Sequence, residues 1–257
     1  MCRNDATDNI AKNKTTGPKI KSICLFGTSA DPPTNSSGHI GIVKHLSTLT
    51  DQFDEIWVLP VYQHMYKSKR NRLSSFEHRM SMCQLAFQGI DNVYVHNYEK
   101  ECYEAKCKSA NDDNPTRIGT ADLLEWLMYD KFKNGVKFTL TLGSDSYLDL
   151  SKFKWKRSLD ILELTEGRIL VISRKSSEEN ENKENDKILA STVEEMNLEY
   201  NASIQIARLD CLSNVSSTLV RNTSDLNVLK DYVAPSILEY IQQHRLYSFA
   251  QNNHHDY

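Results

Sequence analysis

Six strand-length apolar runs, separated by longer segments with helical character, constrain what this chain can fold into. The runs lie at 20–26, 55–62, 93–96, 137–142, 168–173 and 204–208. In 38–49 apolar residues recur three positions apart, the spacing of a helix with one buried face, and 120–130 is also predicted to be helical. Strands that alternate with helices indicate a parallel sheet covered by helices, and therefore an α/β fold.

Local signals set further boundaries. Ser74 and Glu77 have capping-box spacing at the start of a helix that runs to Phe87, and Pro235 predicts the first turn of a final helix. The segment 176–186 is acidic, rich in Asn and without apolar residues, which predicts a disordered insertion. A second loop insertion is predicted at 102–114.

A length of 257 residues fits one decorated domain. We predict a disordered N-terminal tail at 1–18, the domain at 19–248 and a C-terminal tail at 249–257. The first 18 residues are polar and lack the apolar core of a secretory signal, so the expected compartment is the cytosol.

Charge and cysteine content exclude several classes of function. Lys and Arg total 31 against 34 Asp and Glu, which argues against a nucleic-acid partner. No apolar run approaches the roughly 20 residues of a membrane helix. The six cysteines contain no C-x-x-C pair, so neither disulfides nor a resident metal is expected.

A candidate phosphate site follows the first strand. Small and polar residues fill 27–34, and Gly38-His39 opens the next helix. Backbone N–H groups in such a loop and at a helix N-terminus attract phosphate, and a histidine there can donate to phosphate oxygens. On spacing alone His39 is equally well an ordinary residue of a first helical turn.

A second candidate lies near the C-terminus, where hydroxyls at 216–218 precede Arg221 by one turn. A guanidinium pairs with phosphate through two donors, so this pattern suits a triphosphate. The alternative is a capped helix with a surface arginine.

Together the two clusters identify a resemblance to the nicotinate/nicotinamide mononucleotide adenylyltransferases of the HxGH nucleotidyltransferase superfamily. The resemblance covers nearly all of 20–247. It is carried by GTSADPPT and GH within 27–39, PVYQHMYKSK at 60–69, LSSFEHRMSMCQLAF at 73–87, LGSDSYLDL at 142–150, VSSTLVR at 215–221 and VAPSILEYIQQHRLY at 233–247. It implies a Rossmann-like doubly wound parallel sheet of about six strands with a small C-terminal helical portion.

The resemblance also implies roles for individual residues. The catalytic group would be His39, Arg221 and Thr34. ATP would be bound by Gly27, Thr28, Ser29, Gly38, His39, Gly143, Asp145, Ser217, Thr218 and Arg221. The mononucleotide would be bound by Ser29, Ala30, Lys67, Thr120 and Trp155.

The implied partners are ATP, which brings Mg²⁺ with it, and a pyridine mononucleotide, with nicotinate favoured over nicotinamide or dual specificity. No membrane partner is expected, and homo-oligomers are common in the superfamily.

Two positions depart from the family pattern. Asn35, Ser36 and Ser37 stand where the family has one residue, so His39 is either displaced or reached by a harmless bulge. Phe153 competes with Trp155 for the aromatic position.

Three alternatives share part of these features. Pantetheine-phosphate, FMN and cytidylyl transferases share the HxGH element, but 60–87 and the region of Trp155 favour the pyridine-nucleotide branch. Residues 38–41 are similar to the HIGH signature of class I aminoacyl-tRNA synthetases, but a KMSKS-like segment lies too close to it and no anticodon-binding domain follows. A nucleotide-binding relative without catalysis is the non-enzyme alternative.

Overall fold

The computed structural model describes residues 20–64, 73–109, 117–174, 179–212 and 216–250. Within these residues six parallel strands form one sheet in the order β3-β2-β1-β4-β5-β6. Their bounds are β1 Lys21–Thr28, β2 Glu55–Pro60, β3 Val93–Val95, β4 Val136–Gly143, β5 Arg168–Arg174 and β6 Ser203–Leu209. This is the doubly wound order of the Rossmann fold, so the predicted fold class is confirmed.

Helices connect and cover the strands. Before β4 they are α1 His39–Thr48, α2 Phe76–Phe87, α3 Tyr98–Ser109 and α4 Thr120–Glu125, the last continued by a π-helical segment Trp126–Lys131. After β4 they are α5 Ser144–Ser151, α6 Ser158–Leu164, α7 Glu179–Tyr200, α8 Ser217–Asn222, α9 Leu226–Tyr232 and α10 Pro235–Gln243. In the described part of the chain no helix is long and apolar enough to cross a membrane.

Both faces of the sheet are buried, which explains why its strands appear as continuous apolar runs. Alternate residues of β1 enter different cores because successive side chains of a strand point to opposite faces. Ile23 and Leu25 join the core formed with α4, α6 and α7. Cys24 and Phe26 join the core formed with α1, α2 and α10.

Two predicted loop segments are helical where the structure describes them. Residues 102–109 belong to α3, because Cys102 is fully buried and anchors that helix. Residues 179–186 form the first turns of α7, whose later residues Leu189, Val193 and Met196 are buried. A helix anchored by packing extends readily over Glu, Asn and Lys, since each added residue gains a hydrogen bond. The rest of both segments, 110–114 and 176–178, lies outside the described residues.

Two smaller predictions, the cap of α2 and the start of the C-terminal tail, were wrong. The cap of α2 is Ser75 rather than Ser74, and its hydroxyl accepts a hydrogen bond from the His78 backbone N–H. The predicted C-terminal tail begins too early, because Tyr247–Ala250 forms a 3-10 turn with Phe249 packed on the core. The tail at 1–18 and residues 251–257 are outside the described residues.

A glycine between α6 and β5 provides a test of this packing. Gly167 has a φ of +68°, and a Cβ placed on it would lie 2.5 Å from the Ala202 Cα. Gly89 has a similar φ of +76° but open space around the same position. Both sites therefore share the backbone requirement, and only Gly167 adds a steric clash.

We expect Gly89→Ala to lower the free energy of unfolding by about 1 kcal/mol, the cost of a left-handed residue with a Cβ. Gly167→Ala should cost about 1–3 kcal/mol more because the chain after it must move. Urea denaturation of both variants measures the difference. Equal losses would contradict the close approach of Gly167 to Ala202.

Candidate active site

The candidate site lies at the carboxyl ends of the central strands. The strand order reverses between β1 and β4, and ligands of open α/β sheets bind in the crevice at such a point. Gly27 on β1 and Gly143 on β4 are exposed although both strands are central, and a Cβ on either would meet nothing within 4 Å. These glycines leave open space in the crevice.

Thr34 and His39 lie together at the start of α1. The Thr34 Oγ1 is 2.8 Å from the His39 Nδ1 and accepts a hydrogen bond from the His39 backbone N–H at 3.1 Å. The Thr34 side chain is fully buried. The three residues between Thr34 and Gly38 therefore do not separate the pair.

The extra residues form a compact turn. The Asn35 side chain accepts from the Ser37 N–H at 2.9 Å, and the Asn35 carbonyl accepts from the Gly38 N–H at 2.9 Å. A Cβ at Gly38 would lie 2.0 Å from the Thr34 Oγ1, so only glycine allows this approach. Of the two outcomes open from sequence, the structure has the bulge that preserves the pair.

These contacts assign the protons of the His39 ring. The Thr34 backbone N–H points at the His39 Nδ1 at 3.2 Å, and this makes Nδ1 an acceptor. The Thr34 Oγ1 already accepts from the His39 N–H, so its own hydrogen is directed to Nδ1. A neutral imidazole with Nδ1 as acceptor carries its proton on Nε2. His39 therefore presents a donor on its far side.

Burial first, and then the positive charge of Arg174, together lower the pKa of His39 to about 4. Arg174 ends β5 and is exposed. Among the described residues it forms no ion pair within 4.0 Å. Arg174 could not be singled out from the sequence, because an arginine at a strand end carries no distinctive pattern.

The second predicted cluster packs against the loop after β1. Ser216 caps α8, and the Ser217 hydroxyl donates to the Pro32 carbonyl at 2.9 Å. The Arg221 guanidinium donates to the Asp31 carbonyl at 2.7 Å and to the Thr218 hydroxyl at 3.0 Å. The structure thus brings the two clusters, which are far apart in sequence, to one place.

Asp31 connects these elements and was missed as a functional residue. Its carboxylate is fully buried and accepts hydrogen bonds from the Tyr247 hydroxyl at 2.8 Å and from the Ser74 hydroxyl. An Arg221 nitrogen lies 3.8 Å from it. Asp31 lies within the GTSADPPT motif. The motif predicted a functional segment but gave no reason to select this side chain.

Arg79 was also missed. It is 2% exposed and donates to backbone carbonyls of Ser29, Ser74 and Tyr62 at 3.1 to 3.3 Å, and also to that of Val61. These carbonyls follow β1 and β2 or precede α2, where no strand partner is available. A buried carbonyl needs a donor, so Arg79 fixes the loops that line the crevice.

The remaining predicted ATP residues lie around the same crevice. The buried Thr28 ends β1, and its hydroxyl accepts from the Ala30 N–H at 3.1 Å. Asp145 is in the first turn of α5, directly after Gly143 and β4.

The predicted mononucleotide residues are described in part. Ser29 and Ala30 are in the loop after β1, and Ala30 has a φ of +50°. Thr120 begins α4, and the partly buried Trp155 packs on the core beside that helix. Phe153, the competing aromatic, is instead exposed and contacts Tyr200. Lys67 lies outside the described residues.

The hydrogen bonds of His39 generate a prediction. The ring should be neutral with its proton on Nε2 from pH 8 down to about pH 5, and its midpoint should be about 4. Because this pKa lies below the 6.5 of an ordinary histidine, the unfolded state takes up the proton first, and protonation destabilises the fold as the pH falls below 6.5.

¹⁵N-detected NMR of histidine-labelled protein reports both the tautomer and the midpoint. The partly buried His45, on the same helix, is the internal control. A His39 midpoint near 6.5, or a proton on Nδ1, would contradict the assigned hydrogen bonds.

The sequence is similar to those of known proteins. Residues 25–223 match the cytidylyltransferase-like family. A protein of Pelodictyon phaeoclathratiforme is 28% identical over 234 residues, 91% of this chain and 94% of that protein. One of Bacillus pumilus is 27% identical over 229 residues (89% and 99%), and one of Aquifex aeolicus is 29% identical over 153 residues (58% and 76%).

All three relatives carry the name "Probable nicotinate-nucleotide adenylyltransferase". The family match includes the loop after β1, His39, Gly143 and Arg221, the residues that the fold gathers at the crevice. The chain therefore belongs to the cytidylyltransferase-like family of nucleotidyltransferases.

Proposed function

We propose that this protein transfers the adenylyl group of ATP to nicotinate mononucleotide, forming the deamido dinucleotide of NAD biosynthesis and pyrophosphate. The observation that carries the proposal is the Thr34–His39 pair, which presents a neutral Nε2–H donor at the N-terminus of α1 beside the crevice. A donor at a helix N-terminus suits the oxygens of a nucleoside triphosphate.

The names of the curated relatives support the choice of mononucleotide. Nicotinamide mononucleotide, or use of both, is the second candidate within the same reaction. The retained contact between Thr34 and His39 argues against a relative that has lost catalysis through its extra residues. We place the reaction in the cytosol, as the sequence predicts.

The reaction needs no protein nucleophile. An oxygen of the mononucleotide 5′-phosphate attacks the α-phosphorus of ATP, a new P–O bond forms, and the bond from the α-phosphorus to the β-phosphate oxygen breaks. Pyrophosphate leaves with that electron pair. Since the attacking phosphate is already an anion, catalysis consists of positioning two anions and stabilising the charge that develops on the leaving group.

The residues at the crevice fit these tasks. His39 donates to the triphosphate through Nε2 and, with a pKa lowered to about 4 by burial, acts as a neutral donor in the free protein. Arg221, Ser217 and Thr218 hold the β- and γ-phosphates from α8. Asp145 and Gly143 contact the adenosine ribose, and Gly27, Thr28, Ser29 and Gly38 line the phosphate loop.

Mg²⁺ arrives with the triphosphate and is coordinated mainly by phosphate oxygens and water, which is how proteins commonly use this ion with nucleotides. At the other end, Lys67, Ser29 and Ala30 hold the mononucleotide, while Thr120 and Trp155 contact its pyridine ring.

The proposal is tested by pyrophosphate release from purified protein with ATP and Mg²⁺, offered each mononucleotide alone and then both in competition. We expect release with nicotinate mononucleotide and a clear preference for it. Equal rates would establish dual specificity. If the protein bound ATP but released no pyrophosphate with either mononucleotide, the proposal would be overturned.

Two variants make the test specific. Arg221→Ala should lose most of the activity while circular dichroism stays unchanged, because Asp31 keeps its bonds to Tyr247 and Ser74. His39→Ala removes one donor to the transition state, so kcat should fall about 10²- to 10³-fold with a smaller change in mononucleotide KM. A wild-type rate in Arg221→Ala would remove the triphosphate assignment.

A further inference from the structure

The two residues assigned to the pyridine ring are on different elements that meet at one buried carboxylate. Thr120 follows Gly119 at the start of α4, and Trp155 precedes Lys156 in the loop between α5 and α6. Gly119 and Lys156 are neighbours in space, since a Cβ built on Gly119 would lie 3.9 Å from the Lys156 Cβ. The carboxylate is that of Asp122, whose side chain is 9% exposed.

Asp122 bonds to both elements at once. Its Oδ2 accepts from the Gly119 backbone N–H at 2.9 Å and from the Lys156 ammonium at 3.1 Å. Its Oδ1 accepts from the Arg157 guanidinium at 3.0 Å. One carboxylate thus caps the helix that begins with Thr120 and binds the two residues that follow Trp155.

The loop needs such support. Phe153 and Arg157, on either side of Trp155, have φ values of +54° and +61°. Left-handed backbone at residues with a Cβ persists only where surrounding contacts enforce it, and it is frequent at functional sites. The Trp155 carbonyl also accepts from the Ser158 hydroxyl at 2.8 Å.

The electrostatics are consistent with a charged Asp122. Burial alone would raise its pKa, but the hydrogen bond from Gly119 and the charge of Lys156 outweigh burial and hold the pKa below its ordinary value. The side chain is therefore an anion at neutral pH, and its carboxylate oxygens accept hydrogen bonds from Gly119, Lys156 and Arg157.

We propose that Asp122 is a positioning residue that holds Thr120 and Trp155 at the spacing required by the pyridine ring. The inference rests on the proposed function, because it takes from it the assignment of these two residues to the ring. Asp122 acts on the mononucleotide through them and leaves the ATP end of the crevice unaffected.

The chain offers a matched control. Glu125, one turn further along α4, accepts from the same Arg157 guanidinium at 3.0 Å. The Lys106 ammonium lies 3.7 Å from Asp122 and 3.6 Å from Glu125. Glu125 has no hydrogen bond to Gly119 or Lys156 among the described residues. Both carboxylates bind Arg157, but only Asp122 also bonds to Gly119 and Lys156, the residues adjacent to Thr120 and Trp155. Asp122→Asn and Glu125→Gln therefore each remove one negative charge from the same network, and only the first alters the bonds beside Thr120 and Trp155.

Steady-state kinetics and tryptophan fluorescence test the proposal. We expect Asp122→Asn to raise the mononucleotide KM about tenfold, because displacement of Thr120 and Trp155 weakens the positioning of the mononucleotide. The ATP KM should stay within about twofold of the wild-type value. The mononucleotide concentration that half-quenches Trp155 emission, obtained by difference from Trp155→Phe, should rise by the same factor as the mononucleotide KM. Glu125→Gln should leave all three quantities within about twofold of the wild type.

Other results would overturn the proposal. The first is an equal change of the mononucleotide KM in Asp122→Asn and Glu125→Gln. The second is a parallel rise of the mononucleotide KM and the ATP KM in Asp122→Asn. The third is a change in the thermal midpoint of unfolding without any change in KM. Should Asp122→Asn fail to fold, Lys156→Met provides a second test, because it removes the bond between Lys156 and Asp122 by changing an exposed side chain. An unchanged mononucleotide KM in Lys156→Met would also overturn the proposal.

The failure of the proposed function is distinguishable. It appears as absence of turnover in the wild type, whereas the quench of Trp155 by the mononucleotide reports on the pocket without turnover.

Discussion

The site depends on the burial of one carboxylate. Asp31 has no exposed surface, and a buried charge is costly unless it is paired and hydrogen-bonded. Its partners Ser74, Tyr247 and Arg221 come from the start of α2, the C-terminal turn and α8. These three segments must therefore close on the loop after β1 before the charge is satisfied. The same closure brings Arg221 to the crevice that holds His39.

Folding fixes several side chains around the crevice as hydrogen-bond donors. Burial, and then the Asp31 carboxylate, raise the pKa of Tyr247, so its hydroxyl keeps its proton. His39 is held by Thr34 as a neutral imidazole, and Arg79 holds the carbonyls beyond β1 and β2. A reaction between two anions needs pre-set donors more than a reactive side chain, because the attacking group supplies its own charge. The structure suits chemistry of that kind.

Much of the fold could be predicted from sequence because its signals are local. The apolar runs of β1, β2 and β5 are buried on both faces, and Pro235 stands in the first turn of α10. The helical state of 179–186 could not be predicted, because it depends on Leu189 and Val193 packing further along α7. Helix α3 was missed for a similar reason, since its burial at Cys102 is tertiary.

The candidate site shows the same division. Motif residues such as His39, Gly143 and Arg221 were selected because the order of short patterns is specific. Asp31, Arg79 and Asp122 were given no role, because an acidic or basic residue acquires one only from the groups that folding places around it. The effect of the extra residues before Gly38 was also open, since the Asn35 turn is visible only in three dimensions.

The central claim is direct attack of the mononucleotide phosphate on the α-phosphorus of ATP, with no covalent adenylyl-enzyme. ATP in which one non-bridging oxygen of the α-phosphate is replaced by sulfur, in a single configuration, tests this claim when the configuration of the dinucleotide product is determined by ³¹P NMR. One in-line displacement inverts the α-phosphorus, whereas an adenylyl-enzyme requires two displacements and restores the original configuration. We expect inversion. Retention of configuration, or the absence of any dinucleotide, would contradict direct attack.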